Sequence, residues 1–510
     1  MDRNFNLKNI EATELWDLLV IGGGATGLGA ALDAASRGMK VLLIEKFDFA
    51  KGTSSRSTKL IHGGVRYLRN GDIRLVKKAL KERFTLQKNA PHLVKNLDFI
   101  IPVYSWLDFL FYGSGLLFYD LIAGKWSFGR TNILNKTRTK KLLQGISANK
   151  LKGGIQYQDG QFDDARYAIT LAQSIHESGS ICVNYMECLS LQVTNSTSYE
   201  VLIRDQIHAV NYQIKTKYIV NATGVFGSEI FNSIGQAYTI RASRGSHIVL
   251  DRSFLPSNSA LMVPKTSDGR VLFAIPWNNY TLVGTTDHET KNLSIETKVP
   301  KEDIDFILAN IQHYLTKQPE YKDIKSVFSG LRPLVSISNS KSTKTLSRDH
   351  LLHQSTDGVL HILGGKWTTY RLMGEEAIDK LLKNDPNKFS KSKTTDLKLH
   401  GYEKTTNFKD QMHVYGSHKK AVEKCGETDS LSDQFLITEA MVIYAIQNEM
   451  AQTVEDVLAR RIRGLFLNAK ETMRLAPIIA KIMANYLNKD SYWEKKQSDL
   501  FILLASNYNL

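Results

Sequence analysis

The chain has little cysteine, and it has no long run of uncharged apolar residues. Its 510 residues include only Cys182, Cys188 and Cys425, with no C-x-x-C among them. Such spacing matches no zinc motif, iron–sulfur motif or disulfide framework, so we expect no metal and a reducing compartment. Residues 1–16 also lack the apolar core of a secretory signal, and we expect neither export nor an integral membrane protein.

Acidic residues are outnumbered, and the net charge of +15 comes with a pI near 9.3. A basic surface can attract anionic lipid, nucleic acid or an anionic substrate, and it can also be an ordinary lysine-rich surface. No nucleic-acid-binding motif accompanies the charge, so we expect no nucleic-acid partner.

A glycine-rich turn between an apolar strand and a helix is the most informative feature present. Residues 17–21 lead into Gly22, Gly24 and Gly27, and a second apolar strand ends on Glu45. The glycines permit a tight turn, close approach to a pyrophosphate and helix–strand packing. Glu45 follows Gly27 by about 18 residues, where a carboxylate accepts ribose hydroxyls and repels a 2′-phosphate. The unit therefore predicts a site for FAD or NAD rather than NADP.

The rest of the chain divides into three parts by its periodicity. Helices are predicted at 72–90, 164–179, 301–315 and 368–382, and strands at 181–183, 199–204, 212–221, 245–251, 270–275, 280–285, 325–331 and 358–364. The strands from 199 onward suggest a predominantly antiparallel sheet. A polar linker at 384–395 precedes a region in which helical patterns dominate from about residue 396.

Two later strands also end in small residues suited to a cofactor. One ends at Ala222-Thr223-Gly224, and the other leads through Gly364-Gly365 into a helix start at which Thr368 is a candidate N-cap. A helix N-terminus directed at a cofactor can stabilise negative charge. The polar loop at 54–68 can likewise follow a cofactor or remain an ordinary flexible loop.

Together with the first glycine-rich turn, these two later strand ends give the chain the order of motifs found in D-amino-acid-oxidase-class flavoproteins. Within that class it resembles the FAD-dependent glycerol-3-phosphate dehydrogenases. The resemblance covers about residues 15–385, and residues 455–463 resemble the helical domain of that family. The motifs that carry it are 57–68, 163–166, 244–249, 284–287, 329–334 and 364–370.

The resemblance implies an α/β fold with three domains. A Rossmann-type FAD-binding domain would take 12–98, 150–235 and 335–385. An inserted α+β cap with an antiparallel sheet would take 99–149 and 236–334, and an all-α C-terminal domain 396–510. FAD contacts are expected at Gly22, Gly24, Gly27, Glu45, Ser54, Ser55, Lys59, His62, Gly63, Ala222, Thr223, Gly224, Gly364, Gly365, Lys366 and Thr368.

The implied reaction is oxidation of sn-glycerol 3-phosphate to dihydroxyacetone phosphate, with a hydride passing from C2 to flavin N5. Arg66, Tyr67, Arg332 and Lys366 are expected to bind the substrate, because a phosphate monoester needs fixed cations. Arg332 and Lys366 are also expected to stabilise the alkoxide, and His247 is the first candidate for the base. A buried structural role for His247 is the alternative.

Several alternatives stay open at this point. The electron acceptor is expected to be a membrane quinone, with oxygen as the alternative, and an amino-acid or 2-hydroxy-acid oxidase or a flavin-binding regulatory protein would share the fold. Arg56 departs from the family pattern and is expected near the pyrophosphate or in solvent. The aromatic segment 100–128 favours either a membrane interface or the core of the cap.

The location and the assembly are expectations of the same kind. The absence of an EF-hand loop and a transit peptide favours a bacterial enzyme on the inner face of the cytoplasmic membrane. An anionic lipid surface and a homodimer are possible partners.

Overall fold

Strands and α-helices alternate along the chain, which the computed structural model describes at residues 1–64, 72–195, 198–227, 238–264, 266–337, 350–384 and 388–510. The strands are β1 (Trp16–Ile21), β2 (Val41–Ile44), β3 (Leu60–Ile61), β4 (Val94–Val103), β5 (Asn132–Asn135), β6 (Gly153–Phe162), β7 (Ile181–Val183), β8 (Met186–Asn195), β9 (Ser198–Asp205), β10 (Asn211–Asn221), β11 (Tyr238–Asp251), β12 (Ala260–Val263), β13 (Leu272–Trp277), β14 (Tyr280–Gly284), β15 (His288–Thr290), β16 (Ile324–Ile337), β17 (His350–Gln354) and β18 (Leu360–Gly364). The α-helices are α1 (Arg3–Ala12), α2 (Ala25–Ser36), α3 (Ile73–Asn89), α4 (Trp106–Ala123), α5 (Lys136–Leu142), α6 (Asp164–Glu177), α7 (Lys301–Gln312), α8 (Tyr370–Leu381), α9 (Lys419–Glu423), α10 (Glu439–Glu449), α11 (Gly464–Leu467), α12 (Ala469–Leu487) and α13 (Ser491–Ala505).

The first sheet has the glycine-rich turn at its centre. Its order is β17-β18-β10-β1-β2-β7, and its strands run parallel from β18 to β7. Alternate residues of β1 and β2 enter two different apolar clusters, one on each face of the sheet. Burial on both faces explains why these strands are continuous apolar runs. The predicted βαβ unit is confirmed as β1, α2 and β2.

Two glycines let α2 cross α8 closely behind this unit. A Cβ on Gly29 would lie 2.6 Å from the carbonyl oxygen of Tyr370, and one on Gly374 would lie 2.4 Å from the carbonyl oxygen of Gly29. The contact holds α8 against the helix that begins at the turn. The strand end at Gly364 and the end of β1 lie at the same edge of the sheet with β10 between them, although the two lie far apart in sequence.

The second sheet is mostly antiparallel. Its order is β15-β11-β14-β13-β12-β4-β6-β3, with β16 added at β11 and β5 added at β6. Residues 94–98 and 153–162, which the sequence prediction places in the cofactor domain, pair with each other in this second sheet through β4 and β6. The strands predicted at 199–204 and 212–221 extend the first sheet instead. Periodicity indicates a strand but does not choose its partner, since pairing here joins distant segments.

The apolar helix α4 leaves most of its surface uncovered. Leu107 and Leu121 are 77% and 76% exposed, whereas Gly113, Leu116 and Tyr119 face the protein. Among the described residues, one helical stretch, Trp106–Trp126, is apolar and long enough to cross a membrane by length and composition, with 22% of it buried in the protein. Core packing of the cap therefore does not account for the aromatic segment.

The longer helices of the last part of the chain begin at residue 439. Between 396 and 438 the described chain forms turns, a 3-10 helix at Gln411–His418 and the short α9. Helices α10 to α13 then share an apolar cluster with the second sheet. The C-terminal region thus packs directly against the other two parts.

Candidate active site

A cavity of about 760 Å³ lies where strand ends of the first sheet meet the second sheet. It collects predicted site residues from both sheets, namely Gly22, Gly24, Glu45, Ser54, His62, Ala222, Thr223, Gly224, His247, Arg332, Gly364, Gly365, Lys366 and Thr368. Ligands of open α/β sheets bind at the carboxyl ends of the parallel strands. Arg66 and Tyr67 lie outside the described residues.

The glycine-rich turn is shaped for a group that approaches the backbone. Gly22 has a φ of +114°, and a Cβ there would lie 2.6 Å from the carbonyl oxygen of Ala222. A Cβ on Gly27 would lie 1.9 Å from the carbonyl oxygen of Gly22, so Gly27 allows the packing of α2 and does not line the cavity. The start of α2 faces the cavity, which Ala25 and Thr26 line, and the positive end of the helix dipole there suits a pyrophosphate.

Glu45 is held in place by two backbone donors. The amide of Gly23 donates to Oε2 at 2.7 Å, and the amide of Phe47 donates to Oε1 at 2.9 Å. Burial raises the pKa of this carboxyl, and the two donors oppose the shift. A fixed carboxylate beside the glycine cradle fits the ribose of a dinucleotide. These residues therefore fit FAD.

Residues 54–62 are hydrogen-bonded to the start of α2 and to the turn that precedes α8. The Ser54 hydroxyl accepts from the amide of Ala25 at 2.9 Å, and its carbonyl accepts from Trp367 Nε1 at 2.9 Å. Thr368 Oγ1 donates to the carbonyl of His62 at 3.5 Å, which is a long contact. Thr368 is not an N-cap, because Lys366 and Thr369 hold the cap positions of the two turns there. The loop and the helix start thus form one wall.

Lys59 differs from its predicted role. Its ammonium lies 2.7 Å from Asp164 Oδ2 and 2.8 Å from the carbonyl of Ser55, away from the cavity. Burial lowers the pKa of Lys59 to about 7, against the pull of the Asp164 carboxylate. Ser55 and Gly63 are likewise absent from the cavity wall, and the amide of Gly63 donates to Asp159 at 3.2 Å. These three residues support the loop from behind.

Arg56 is buried, which contradicts the solvent-exposed position that was one of the two expected for it. Its guanidinium donates to Glu296 at 2.7 Å, and Tyr508 donates to the other oxygen of the same carboxylate at 2.7 Å. Burial opposes the charge of Arg56, but the attraction of Glu296 raises its pKa above the ordinary value. Arg56 therefore joins the loop to the C-terminal residues while its side chain also borders the cavity.

His247 is the buried imidazole of the cavity. Its Nε2 lies 2.9 Å from Thr58 Oγ1, and its ring stacks on Phe328 with centroids 4.8 Å apart. Gly284 opposite makes room, because a Cβ there would lie 2.1 Å from His247 Cδ2. Burial, followed by the charges of Lys59 and Arg332, holds the pKa of His247 well below 6.5. The ring is neutral at neutral pH and carries a lone pair.

Cations also line this cavity. Arg332 donates from Nη2 to Thr285 Oγ1 at 2.7 Å and from Nη1 to the carbonyl of Thr286 at 3.0 Å. These bonds fix a guanidinium that is still 27% exposed. Lys366 lines the same cavity at the start of the turn before α8. Fixed cations of this kind suit a phosphorylated substrate.

Sequence reasoning missed Arg270 and the acid that supports this region. Arg270 lines the cavity and lies 3.2 Å from His288 Nε2. Asp303, at the start of α7, accepts from Thr286 at 3.1 Å and Arg244 at 3.2 Å, and lies 2.7 Å from His288 Nδ1. The signal available was the position of His288 directly after the 284–287 motif.

The C-terminal region closes the back of the site through buried charges. Asp48 accepts from Arg460 at 2.5 Å and from Arg461 at 2.5 and 2.9 Å. Arg463 donates to the carbonyl of Ser55 at 2.8 Å and to Asp164 at 3.0 Å. The segment 455–463 therefore fixes both the loop after β2 and the loop that carries Thr58.

The fold and this site define a flavin-dependent oxidoreductase. A family model described as FAD dependent oxidoreductase matches residues 17–376, and one described as the C-terminal domain of alpha-glycerophosphate oxidase matches residues 362–497. FAD is the cofactor of this class.

The relatives narrow the class. Mitochondrial glycerol-3-phosphate dehydrogenase of Homo sapiens is 36% identical over 98% of this chain and 74% of its own length. A probable mitochondrial glycerol-3-phosphate dehydrogenase of Dictyostelium discoideum is 37% identical over 95% of this chain and 82% of its own. The glycerol-3-phosphate dehydrogenase of Bacillus halodurans, solved with FAD, has a TM-score of 0.80 at 25% identity and covers 100% of this chain and 98% of its own. The chain belongs to the FAD-dependent glycerol-3-phosphate dehydrogenases.

Proposed function

We propose that this protein oxidises sn-glycerol 3-phosphate to dihydroxyacetone phosphate and passes the electrons to a membrane quinone. The observation that carries the proposal is the neutral, buried His247 in the same cavity as the Arg332 guanidinium and the dinucleotide turn. A base, a fixed cation and a cofactor cradle are what alcohol oxidation at a phosphorylated substrate requires.

Bound FAD supplies the acceptor for the hydride that leaves C2. His247 accepts the proton of the C2 hydroxyl, and Thr58 holds the imidazole by the contact of its Oγ1 with Nε2. The charge of Arg332 stabilises the oxygen as it becomes an alkoxide, because the guanidinium is already fixed by Thr285 and Thr286. The Phe328 ring covers one face of the imidazole and keeps water away from it.

Charge favours a phosphate over the carboxylate of an amino acid. Arg270, Arg332 and Lys366 all line the cavity. A carboxylate is satisfied by one bidentate arginine, whereas a phosphate monoester carries nearly two negative charges and accepts at three oxygens. The same argument disfavours a 2-hydroxy-acid oxidase.

The test is anaerobic reduction of the bound flavin in the intact holoenzyme. We expect glycerol 3-phosphate to bleach the flavin absorbance, and glycerol, lactate and amino acids to leave it unchanged. Bleaching by an amino acid but not by glycerol 3-phosphate would overturn the proposed substrate. Reoxidation with a short-chain quinone, compared with oxygen, then separates a dehydrogenase from an oxidase.

We further propose that α4 and α5 rest on an anionic membrane surface. Trp106, Leu107, Leu110 and Leu121 are 69%, 77%, 71% and 76% exposed. The exposed side chains of Lys136, Arg138, Lys140 and Lys141 follow on α5. Apolar side chains beside a basic helix are typical of proteins that lie in the bilayer interface.

The buried face of α4 supports a helix that lies on the membrane surface over one that crosses the membrane. Leu116 and Tyr119 are 2% exposed, and a Cβ on Gly63 would lie 2.1 Å from Tyr119 Oη. A helix packed so closely against the loop of the site keeps one face on the protein. A quinone dissolved in the lipid would then meet the protein on the exposed face. The expected bacterial cytoplasmic membrane stays a prediction, as does the homodimer.

Sedimentation with vesicles tests this surface. We expect anionic vesicles to pull down the holoenzyme at low salt, and the pair Leu110→Ser with Leu121→Ser to abolish recovery. Leu503→Ser is the matched control, because Leu503 is 68% exposed on α13 at the other end of the chain. Equal recovery of all three proteins would overturn the surface without affecting the proposed substrate.

A further inference from the structure

Three potential metal ligands from distant parts of the chain meet outside the active site. Glu177 is the last residue of α6, and His418 is the last residue of the 3-10 helix Gln411–His418. His400 lies in the irregular segment 388–410 that precedes this helix. Each offers one ligand atom, and the three atoms lie within 4.8 Å of one another. His400 Nδ1 is 2.6 Å from Glu177 Oε1, and the two imidazoles stack with centroids 4.1 Å apart.

The backbone around this cluster is built to bring the histidines together. Gly401 and Gly416 both have positive φ, at +69° and +50°. A Cβ on Gly416 would lie 1.8 Å from the carbonyl oxygen of Gly401, so only glycine allows the two strands of chain to touch. The amide of His400 is also fixed, because it donates to Ser174 Oγ on α6 at 2.9 Å.

The ligand atoms are available. His400 presents Nδ1 to Glu177 Oε1 at 2.6 Å, and its other ring nitrogen, Nε2, is buried with no hydrogen-bond partner among the residues that the structure describes. Neutral imidazole nitrogens and a carboxylate oxygen are the donors that zinc, cobalt and nickel prefer.

We propose that Glu177, His400 and His418 form a binding site for a divalent transition metal ion such as Zn²⁺. The ion would replace the proton shared by Glu177 and His400 and would be completed by water. Ligand atoms of a tetrahedral zinc site stand about 3.3 Å apart, so the side chains need shifts of about 1 Å. Glu177 is 54% exposed and can make such a shift.

The metal would join the end of α6 to the segment that leads into the C-terminal region. It would stabilise the native chain, since a site assembled from distant residues is absent from the unfolded state. This role is independent of the reaction proposed above. The expectation of no metal rested on cysteine spacing, which carries no information about histidines brought together by folding.

The test uses the full-length holoenzyme after dialysis against a chelator. We expect one equivalent of Co²⁺ to bind with the visible absorption bands of nitrogen and oxygen coordination. We expect Zn²⁺ to displace it and to raise the thermal midpoint. His418→Asn and Glu177→Gln should each weaken binding roughly tenfold or more, and the pair should abolish it.

His208→Asn is the matched control, because His208 forms a similar pair with Asp205 at 2.7 Å without a second histidine. It should leave Co²⁺ binding unchanged. No binding to the parent protein, or equal binding to the parent and to the Glu177/His418 double variant, would overturn the proposal. Because His418 is partly exposed, circular dichroism of each variant establishes that it folds before binding is compared.

Discussion

The ammonium of Lys59 lies 2.7 Å from the carboxylate of Asp164, and both side chains are completely buried. The neighbouring Thr58 reaches His247 from the other side of the same loop, 2.9 Å from Nε2. Asp164 also accepts from Ser57 Oγ at 2.7 Å. A buried ion pair therefore fixes the residue that holds the candidate base, although neither ion lines the cavity.

Replacing Lys59 by Met should lower the free energy of unfolding by about 3 kcal/mol, because it leaves Asp164 buried without its nearest cation. Denaturant unfolding measures the loss. Lys215→Met is the control, since its ion pair with Glu200 is 3.4 Å long and Lys215 is 62% exposed. That change should cost less than about 0.5 kcal/mol. Equal losses of unfolding free energy in the two variants would mean that the buried ion pair stabilises the protein no more than the exposed pair does.

Replacing His247 by Asn should slow anaerobic flavin reduction by about 100-fold, with a much smaller change in substrate affinity. Stopped-flow reduction over a range of substrate concentrations separates the two effects. Because the pKa of His247 is held well below 6.5, lowering the pH to 6.5 should not protonate it or reduce the rate. A rate limb with a midpoint near 6.5 that disappears in the variant would contradict the burial argument.

Changing Arg332 to Lys should raise the KM for glycerol 3-phosphate by about 10- to 100-fold while FAD stays bound. Lysine keeps the charge but loses the fixed planar donors that Thr285 and Thr286 orient. Arg241→Lys is a control on the neighbouring strand, where Arg241 pairs with Glu289 at 2.5 Å. Loss of flavin from the Arg332 variant, seen in its absorbance, would assign Arg332 to the cofactor instead.

Adding one methyl group at Gly27 should abolish FAD binding or destabilise the chain by more than about 2 kcal/mol, because the new Cβ would lie 1.9 Å from the carbonyl oxygen of Gly22. Gly115→Ala tests the same change where nothing lies within 4 Å. There, in the middle of α4, alanine should stabilise the helix by about 0.5–1 kcal/mol. Flavin content after purification and thermal unfolding distinguish the two outcomes.

Acid should destabilise the protein partly through His92. Burial, followed by the charge of His413, lowers the pKa of His92 to about 3, while the unfolded chain titrates near 6.5. Between these values the unfolded state binds the extra proton, so stability falls as the pH falls, by at most about 1.4 kcal/mol per pH unit. His92→Gln should flatten this slope, whereas His208→Gln, at a half-exposed residue, should not. Parallel slopes in both variants would exclude His92 as a source.

The parts of the fold that could be predicted are those determined by neighbours in sequence. The strands, the helix and the turn of the unit from Asp17 to Glu45 can be predicted within 30 residues, because the apolar pattern and the glycines are local signals. The predicted bounds of β7 also agree with the structure, in which the strand is Ile181–Val183. The partners of β6 were not, since periodicity carries no information on which distant strand will pair with it.

The candidate site divides in the same way. Motifs located the cavity wall at Gly22, Glu45 and Gly364, but a motif cannot say which of its side chains faces inward. Lys59 has a φ of +62°, and its side chain pairs with Asp164, a residue more than 100 positions later in the chain. Composition likewise described α4 as apolar and could not say whether its surface would be covered.

The attachment of residues 455–463 bears on the order in which the protein is made. Asp48 and Asp164 are synthesised early, whereas their cations Arg460, Arg461 and Arg463 leave the ribosome about 300 to 400 residues later. Until then the loops beside the cofactor site hold buried carboxylates without their full complement of positive charge, which is a costly state. Chain growth from the N-terminus therefore delays the finished flavin pocket until the helical region has docked. Nascent chains should acquire their cofactor only after residues 455–463 have left the ribosome.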